Sequence, residues 1–264
     1  MLANEKINGH LPRELDVVTF ITEGYHDFIL DVFFKTLPPE ITSLTILNYK
    51  DISLKESKLS GETGNPLFKE LMYHRSILYG KYMKEHPNRH ILFMDNDIIF
   101  YRNFKQDMID IMERCDITTQ VQNQCGAASY KNTGVLGMNS TPKVIDFWHN
   151  NFLRRVGNLP AEDRPKTSPQ TEFNEYIIED DLDLVYYGLP FEWGGIATGY
   201  NTYFYHAIGN WPGPATHAQK KKEALLASFA GRRDKDLENQ KLSDTLGSEY
   251  QSYFTDIVPQ KQIQ

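Results

Sequence analysis

Strands alternating with helices along most of the chain predict an α/β protein whose sheet is largely parallel and whose crossovers are right-handed. Three observations carry that expectation. Residues 16–22 (DVVTFIT) form a β-branched run ahead of a helical stretch; residues 91–94 (ILFM) are apolar without alternation, as in a strand covered on both faces; and two later segments repeat apolar residues at helical spacing. A chain of 264 residues with 40% hydrophobic and 12% aromatic side chains is long enough to bury one large core and too rich in rings for a disordered protein.

The first strand, residues 16–22, stops at the turn Glu23-Gly24. A helix over 28–37 follows, and Pro38-Pro39 ends it because proline has no amide to donate and clashes with the preceding turn. Residues 41–47 read as the second strand. After the polar loop 60–65, Pro66 suits the first turn of a helix on which Leu67, Leu71, Leu78 and Tyr82 share a face, and which ends near His86-Pro87. The central strand 91–94 is broken by Asp95-Asn96-Asp97, residues 98–101 resume the apolar character, and a helix covers 104–114. Strands at 117–121 and 135–138 flank a polar loop, and Pro142 opens a helix with Val144, Ile145, Trp148 and Phe152 on one side. A loop marked by Pro160, Pro165 and Pro169 leads to a short helix over 171–178 and a strand over 184–187. Residues 188–216, rich in Gly, Pro and rings and without a period, read as a long functional loop. A helix over 220–230 stops at Gly231, and the polar remainder, 232–264, reads as a surface helix or tail.

The net charge of −7 argues against nucleic-acid binding, which needs a basic face for phosphates. No apolar run approaches the roughly 20 residues of a membrane span, and residues 1–13 carry charges where a signal peptide would be apolar. A soluble protein of the cell interior is expected. Cys115 and Cys125 then read as reduced thiols, neither a disulfide framework nor a zinc site.

Asp-x-Asp occurs three times, at Asp95/Asp97, Asp181/Asp183 and Asp234/Asp236. Only the first directly follows a buried-strand pattern, so its carboxylates emerge at the carboxyl end of a strand, where open α/β sheets bind ligands. Two carboxylates there repel each other and resist desolvation unless a cation sits between them. Oxygen ligands favour Mg²⁺ or Mn²⁺ over zinc. The competing reading is a solvated hairpin turn, and for the other two pairs, in charged surroundings, that reading is preferred.

Residues 91–100 (ILFMDNDIIF) resemble the metal-binding motif of the nucleotide-diphospho-sugar transferases, proteins of the A-type glycosyltransferase fold. Later features follow in the family's order. Residues 132–137 (NTGVLG) resemble the Asn-Ser/Thr-Gly strand of the family that includes plant xylosyl- and arabinosyltransferases. Gln170 and Asn174 match the Gln and Asn of its Asp-Gln-x-x-x-Asn helix, and Thr216-His217-Ala218 with Lys220, Lys221 and Lys222 resembles its C-terminal His segment. The likeness runs over residues 16–230, with one departure: Pro169 stands where the family usually has an acidic residue.

The resemblance implies a single Rossmann-like domain over residues 1–231 with a mixed, mostly parallel sheet flanked by helices; residues 14–121 form the nucleotide-binding half, 122–231 the acceptor-binding half, and 232–264 a tail. It also implies roles. Asp97, and Asp95 directly or through water, hold Mn²⁺ or Mg²⁺ on the donor's diphosphate, with His217 as third protein ligand and Asp95 and Asn96 near the donor. Thr22, Glu23, Gly24 and Tyr25 receive base and ribose, Lys69 and Arg75 face the donor, and Lys220 reaches the diphosphate at a helix start. Gln170, Glu172 and Glu192 are the remaining polar groups of the cleft, with no clear base among them. Residues 191–195 with Trp211 offer either an aromatic platform for a sugar or packing for the long loop. Loop packing is equally open for Tyr25, and a solvated charge for Lys69, Arg75 and Lys220.

The implied activity is retaining transfer of a sugar from a UDP-sugar to a hydroxyl of a glycan acceptor, xylose first, galactose or arabinose next, in a microbial or virus-infected host cytoplasm. Two rivals stand beside it. A nucleotidyltransferase that makes the sugar nucleotide needs a Gly-rich loop after its first strand, which residues 22–25 do not supply. A non-catalytic sugar-nucleotide- or carbohydrate-binding protein would keep the fold without turnover.

Overall fold

The computed structural model describes residues 5–21, 29–48, 68–124, 127–158, 169–178, 183–189, 193–195, 203–206, 222–223 and 226. The elements are β1 (Leu15–Ile21), α1 (residues 29–36, opening with a π turn), β2 (Ser43–Asn48), α2 (Phe68–Glu85), β3 (His90–Met94), β4 (Ile98–Phe100), α3 (Lys105–Met112), β5 (Ile117–Gln124) and β6 (Ala127–Asn139). There follow α4 (residues 142–157, with a π stretch in its middle), α5 (Pro169–Ile178), β7 (Tyr186–Leu189), β8 (Gly194–Gly195) and β9 (Phe204–His206).

Six strands form the main sheet in the order β2-β1-β3-β6-β5-β7. β1 pairs in parallel with β2 and β3, and β5 with β7, whereas β6 is antiparallel to both its neighbours. The sheet is therefore mixed and mostly parallel, as expected. Alternation along each strand divides the core into two layers. Val18, Phe20, Ile91, Phe93, Leu136 and Met138 pack on one face against α2, α4 and α5, through Leu71, Leu78, Tyr82, Val144, Trp148 and Phe173. Leu15, Val17, Leu92, Met94 and Val135 pack on the other against α1, α3 and β4. Burial on both faces explains why residues 91–94 carry no polar alternation.

The helix faces read from the sequence are the buried ones: Val144, Trp148 and Phe152 lie in the core and Ile145 packs beside them. Thr141 caps α4 by accepting from Val144 N, and Pro142 occupies its first turn. Gly80 lets α2 lie against α4; a Cβ there would stand 2.8 Å from Trp148 Cδ1. Trp148 Nε1 donates to Ser76 O at 2.9 Å across the same contact.

Two segments depart from expectation. The polar loop between residues 121 and 135 is instead the hairpin of β5 and β6, whose residues pair from Ile117↔Met138 to Gln124↔Ala127. The strands expected at 117–121 and 135–138 are its outer parts; Asn132 and Thr133 are buried polar groups, so no apolar period extended the strands toward the turn. The aperiodic segment 188–216 contains β8 and β9, which join β4 in a second sheet of order β4-β9-β8. Three residues of the helix expected over 220–230 are described, 222, 223 and 226, and all are helical. No helix among the described residues is long and apolar enough to cross a membrane.

Candidate metal centre

The turn after β3 joins the two sheets. Asp95 N donates to Gly134 O at 2.7 Å, carrying the β3–β6 ladder one residue further, and the chain then enters β4. β4 runs antiparallel to β9 with Ile98 opposite His206. That register brings the His206 imidazole beside the turn. His206 Nε2 lies 3.2 Å from Asp97 Oδ1 and 3.5 Å from Asp95 Oδ2. One donor atom from each of Asp95, Asp97 and His206 fits within 4.8 Å of the others. Asp97 and His206 are buried, and the Asp95 carboxylate is part-exposed.

Arg75, buried on α2, donates from Nη1 to Asp95 Oδ1 and from Nη2 to Thr133 Oγ1 at 3.4 Å. Its guanidinium lies over the Tyr79 ring, 5.5 Å from the centroid. Burial opposes ionisation of Asp95, but Arg75 and His206 outweigh it and hold the carboxyl below its usual range. Burial likewise opposes the His206 imidazolium; Asp97 and then Asp95 overcome it and push that histidine up to about 9.

Two carboxylates and an imidazole so close are a fitting donor set for a divalent cation. Gly134 keeps room for these side chains. A Cβ at this position would stand 2.5 Å from Asp95 Oδ2, 2.8 Å from Asn132 Oδ1 and closer still to His206 Cε1.

Of the residues singled out in the sequence, Arg75, Asp95 and Asp97 come together here. Gln170, in the first turn of α5, accepts from Thr133 N at 3.0 Å and from Thr133 Oγ1 at 3.2 Å, and so reaches the residue that also meets Arg75. Asn174 grips Lys131, two residues before Thr133, accepting from its N at 2.7 Å and donating to its O at 2.8 Å. Asn96 is buried with Nδ2 donating to Phe20 O, which ties the turn to β1. Glu172 is buried against Arg155 of α4, whose Nε donates to it at 3.3 Å. Trp193 is buried and stacks on Tyr203 at 4.2 Å, so this ring packs the loop. Lys222, one of the basic run, pairs with Asp31 of α1.

Thr22, Glu23, Gly24, Tyr25, Glu192, Trp211, His217 and Lys220 lie outside the described residues, as does the side chain of Lys69. The sequence reading did not single out His206, the histidine the fold brings to the aspartates. Its only signal was a short run of ring side chains of strand-forming type, residues 203–206 (YFYH), inside an aperiodic segment.

Comparison with solved structures finds glycosyltransferases. A glycosyltransferase involved in the glycosylation of the major capsid of PBCV-1 matches with a TM-score of 0.56 at 14% identity, over 81% of this chain and 99% of that one. The galactosyltransferase LgtC, solved with donor and acceptor sugar analogues, matches with a TM-score of 0.48 at 11% identity, over 82% and 99%. Mouse xyloside xylosyltransferase 1 gives 0.46 at 11% identity, over 76% and 100%. No family model matches the chain, and no curated protein matches it in sequence. The class is therefore defined by fold: the chain has the A-type fold of nucleotide-sugar glycosyltransferases, as its motifs implied. At these identities the likeness is one of fold alone.

Proposed function

We propose that the chain is a divalent-cation-dependent glycosyltransferase that moves a sugar from a UDP-sugar to a hydroxyl of a glycan acceptor with retention of configuration. The observation that carries this reading is the convergence of Asp95, Asp97 and His206 just past the carboxyl end of β3, the end at which open α/β sheets take ligands. Asp97, Asp95 and His206 would hold the cation, and an imidazole among the ligands favours Mn²⁺ over Mg²⁺. When bound, the cation supplies Lewis-acid stabilisation of the departing diphosphate.

The protein's own groups do the rest. Arg75 orients Asp95 and keeps it ionised. Gln170 accepts from Thr133, whose hydroxyl also meets Arg75, and is assigned to the catalytic side together with Glu172 and Glu192. Thr22, Glu23, Gly24 and Tyr25 follow β1 and are assigned to base and ribose; Lys69, Asn96 and Lys220 are assigned to the donor side, and His217 keeps the ligand role that the resemblance implies. Xylose leads galactose and arabinose as the sugar, on the sequence resemblance.

The test is release of UDP from UDP-xylose, UDP-galactose and UDP-arabinose, with Mn²⁺ and with chelator, for the wild type and Asp97→Asn. Mn²⁺-dependent release that the variant loses while remaining folded is expected. Folded protein that neither hydrolyses nor transfers from any UDP- or GDP-sugar in Mn²⁺ would overturn the proposal. Pyrophosphate release from UTP and a sugar phosphate would favour the nucleotidyltransferase instead.

One observation favours a second reading, a binding protein without turnover. Arg75 and a protonated His206 balance the charges of Asp95 and Asp97 with no cation present. On that reading Asp97→Ala weakens UDP binding and there is no turnover to lose.

A further inference from the structure

A cation held by His206 needs one particular state of the ring, with Nε2 bare and turned toward the carboxylates. We propose that Gln120 is the positioning residue that sets this state, by taking the hydrogen of Nδ1. The inference rests on the cation site proposed above.

Gln120 and His206 are both buried, 2% and 3% exposed. Gln120 Oε1 lies 3.1 Å from His206 Nδ1. An amide oxygen has no hydrogen to donate, so the contact is a hydrogen bond only when Nδ1 carries the proton. A neutral imidazole has one such proton, which leaves the lone pair on Nε2. That nitrogen is the one 3.2 Å from Asp97 and 3.5 Å from Asp95. A metal-bound histidine whose other nitrogen is held in this way has its orientation and tautomer fixed in advance.

The reach of Gln120 comes from an irregularity in the β5–β6 hairpin. Thr119 pairs with Leu136 and the next residue, Gln120, with Asn132, so Thr133, Gly134 and Val135 face no residue of β5. Such a bulge bends the strand and re-aims side chains. The same three residues include Gly134, whose missing Cβ leaves room for the imidazole and for Asp95. One break in the ladder thus opens the cradle and delivers Gln120 to its rim. His206 is then fixed at two points: its backbone by the pairing of β9 with β4, its ring by Gln120. A neutral amide also suits the position, since it orients the ring without adding a third negative charge to Asp95 and Asp97.

The experiment titrates Mn²⁺ alone against wild type, Gln120→Leu and Gln120→Glu, following free Mn²⁺ by electron paramagnetic resonance. In parallel, long-range proton–nitrogen spectra of the Mg²⁺-loaded, ¹⁵N-histidine-labelled proteins report which ring nitrogen of His206 carries hydrogen. The wild type should show a slowly exchanging Nδ1–H. Gln120→Leu should lose that signal and bind Mn²⁺ about tenfold more weakly or worse, the scale of loss for a residue that orients a ligand. Gln120→Glu, which keeps an acceptor oxygen at the same reach, should restore both. If Gln120→Leu does not fold, Gln120→Asn, one methylene too short to reach, takes its place. Tight Mn²⁺ binding by the wild type and equal binding by Gln120→Leu would overturn the role of Gln120 and leave the cation site standing. Absence of Mn²⁺ binding by the wild type would overturn the site itself and this role with it.

Discussion

Replacing Gly134 by alanine adds one methyl to the proposed cation cradle and removes no ligand. The new Cβ would stand 2.5 Å from Asp95 Oδ2 and 2.8 Å from Asn132 Oδ1, and closer still to His206 Cε1; unstrained contacts lie near about 3.5–4.0 Å. Relief therefore requires shifts of about 1 Å. None of the three neighbours yields freely. Asp95 is held by Arg75, His206 by Gln120 and by its place in β9, and Asn132 Oδ1 already accepts from Gly134 N at 2.7 Å. Overpacking of this kind costs about 1–3 kcal/mol of stability. Cation ligands tolerate displacements of only about 0.2 Å, so Mn²⁺ affinity should fall at least about tenfold, about 1.4 kcal/mol or more. Urea unfolding with and without Mn²⁺ reads both effects, because a ligand that binds only the folded state raises its stability. The wild type should gain stability from Mn²⁺ and Gly134→Ala should gain little. A variant with the wild-type midpoint and the wild-type Mn²⁺ dissociation constant would refute the cradle argument.

Three further outcomes are expected. In metal-free protein His206 titrates at about 9, against about 6.5 when unfolded. The folded state thus holds the proton more tightly, and this stabilisation is complete below about pH 6.5 and lost as pH rises through about 9, by up to about 3 kcal/mol. Urea midpoints in chelator should show that decline, and His206→Gln should flatten it. Arg75→Met leaves Asp95 and Thr133 without their shared donor and should cost about 1–3 kcal/mol in the same assay. Arg75→Lys should recover only part, because one ammonium does not reproduce a two-pronged guanidinium; full recovery would count against the bridging role. Cys115 is a buried free thiol whose ionisation burial suppresses, so a thiol reagent should label it only at the rate of unfolding, and immediate labelling of native protein would contradict its placement.

The helices and inner strands were legible because burial imposes a period. Leu71, Leu78 and Tyr82, or Val144, Trp148 and Phe152, must recur on one side of a helix to reach the sheet, and Ile91 to Met94 must all be apolar to fill both layers. The hairpin of β5 and β6 was not legible beyond its ends. Its buried polar side chains include Thr119, Gln120 and Thr133, whose partners are Tyr186 of β7, His206 of β9 and Gln170 of α5 rather than apolar neighbours. Trp193 illustrates a third case: its chemistry suits either sugar stacking or packing, and only the partner ring, Tyr203, decides between them.

The order of elements, the two-faced burial of β3 and the place of Asp95 and Asp97 at its end follow from residues close together in the chain, and so were written in the sequence. The neighbours of these two aspartates came from long-range packing. Arg75 arrives from α2, Gly134 from the bulge in β6, Gln120 from β5 opposite that bulge and His206 from β9, and each was set there by strand register and helix packing. Such contacts join residues 20 to more than 100 positions apart. No local period records them, because a period reports which face of one element is buried and not which distant element supplies its neighbour.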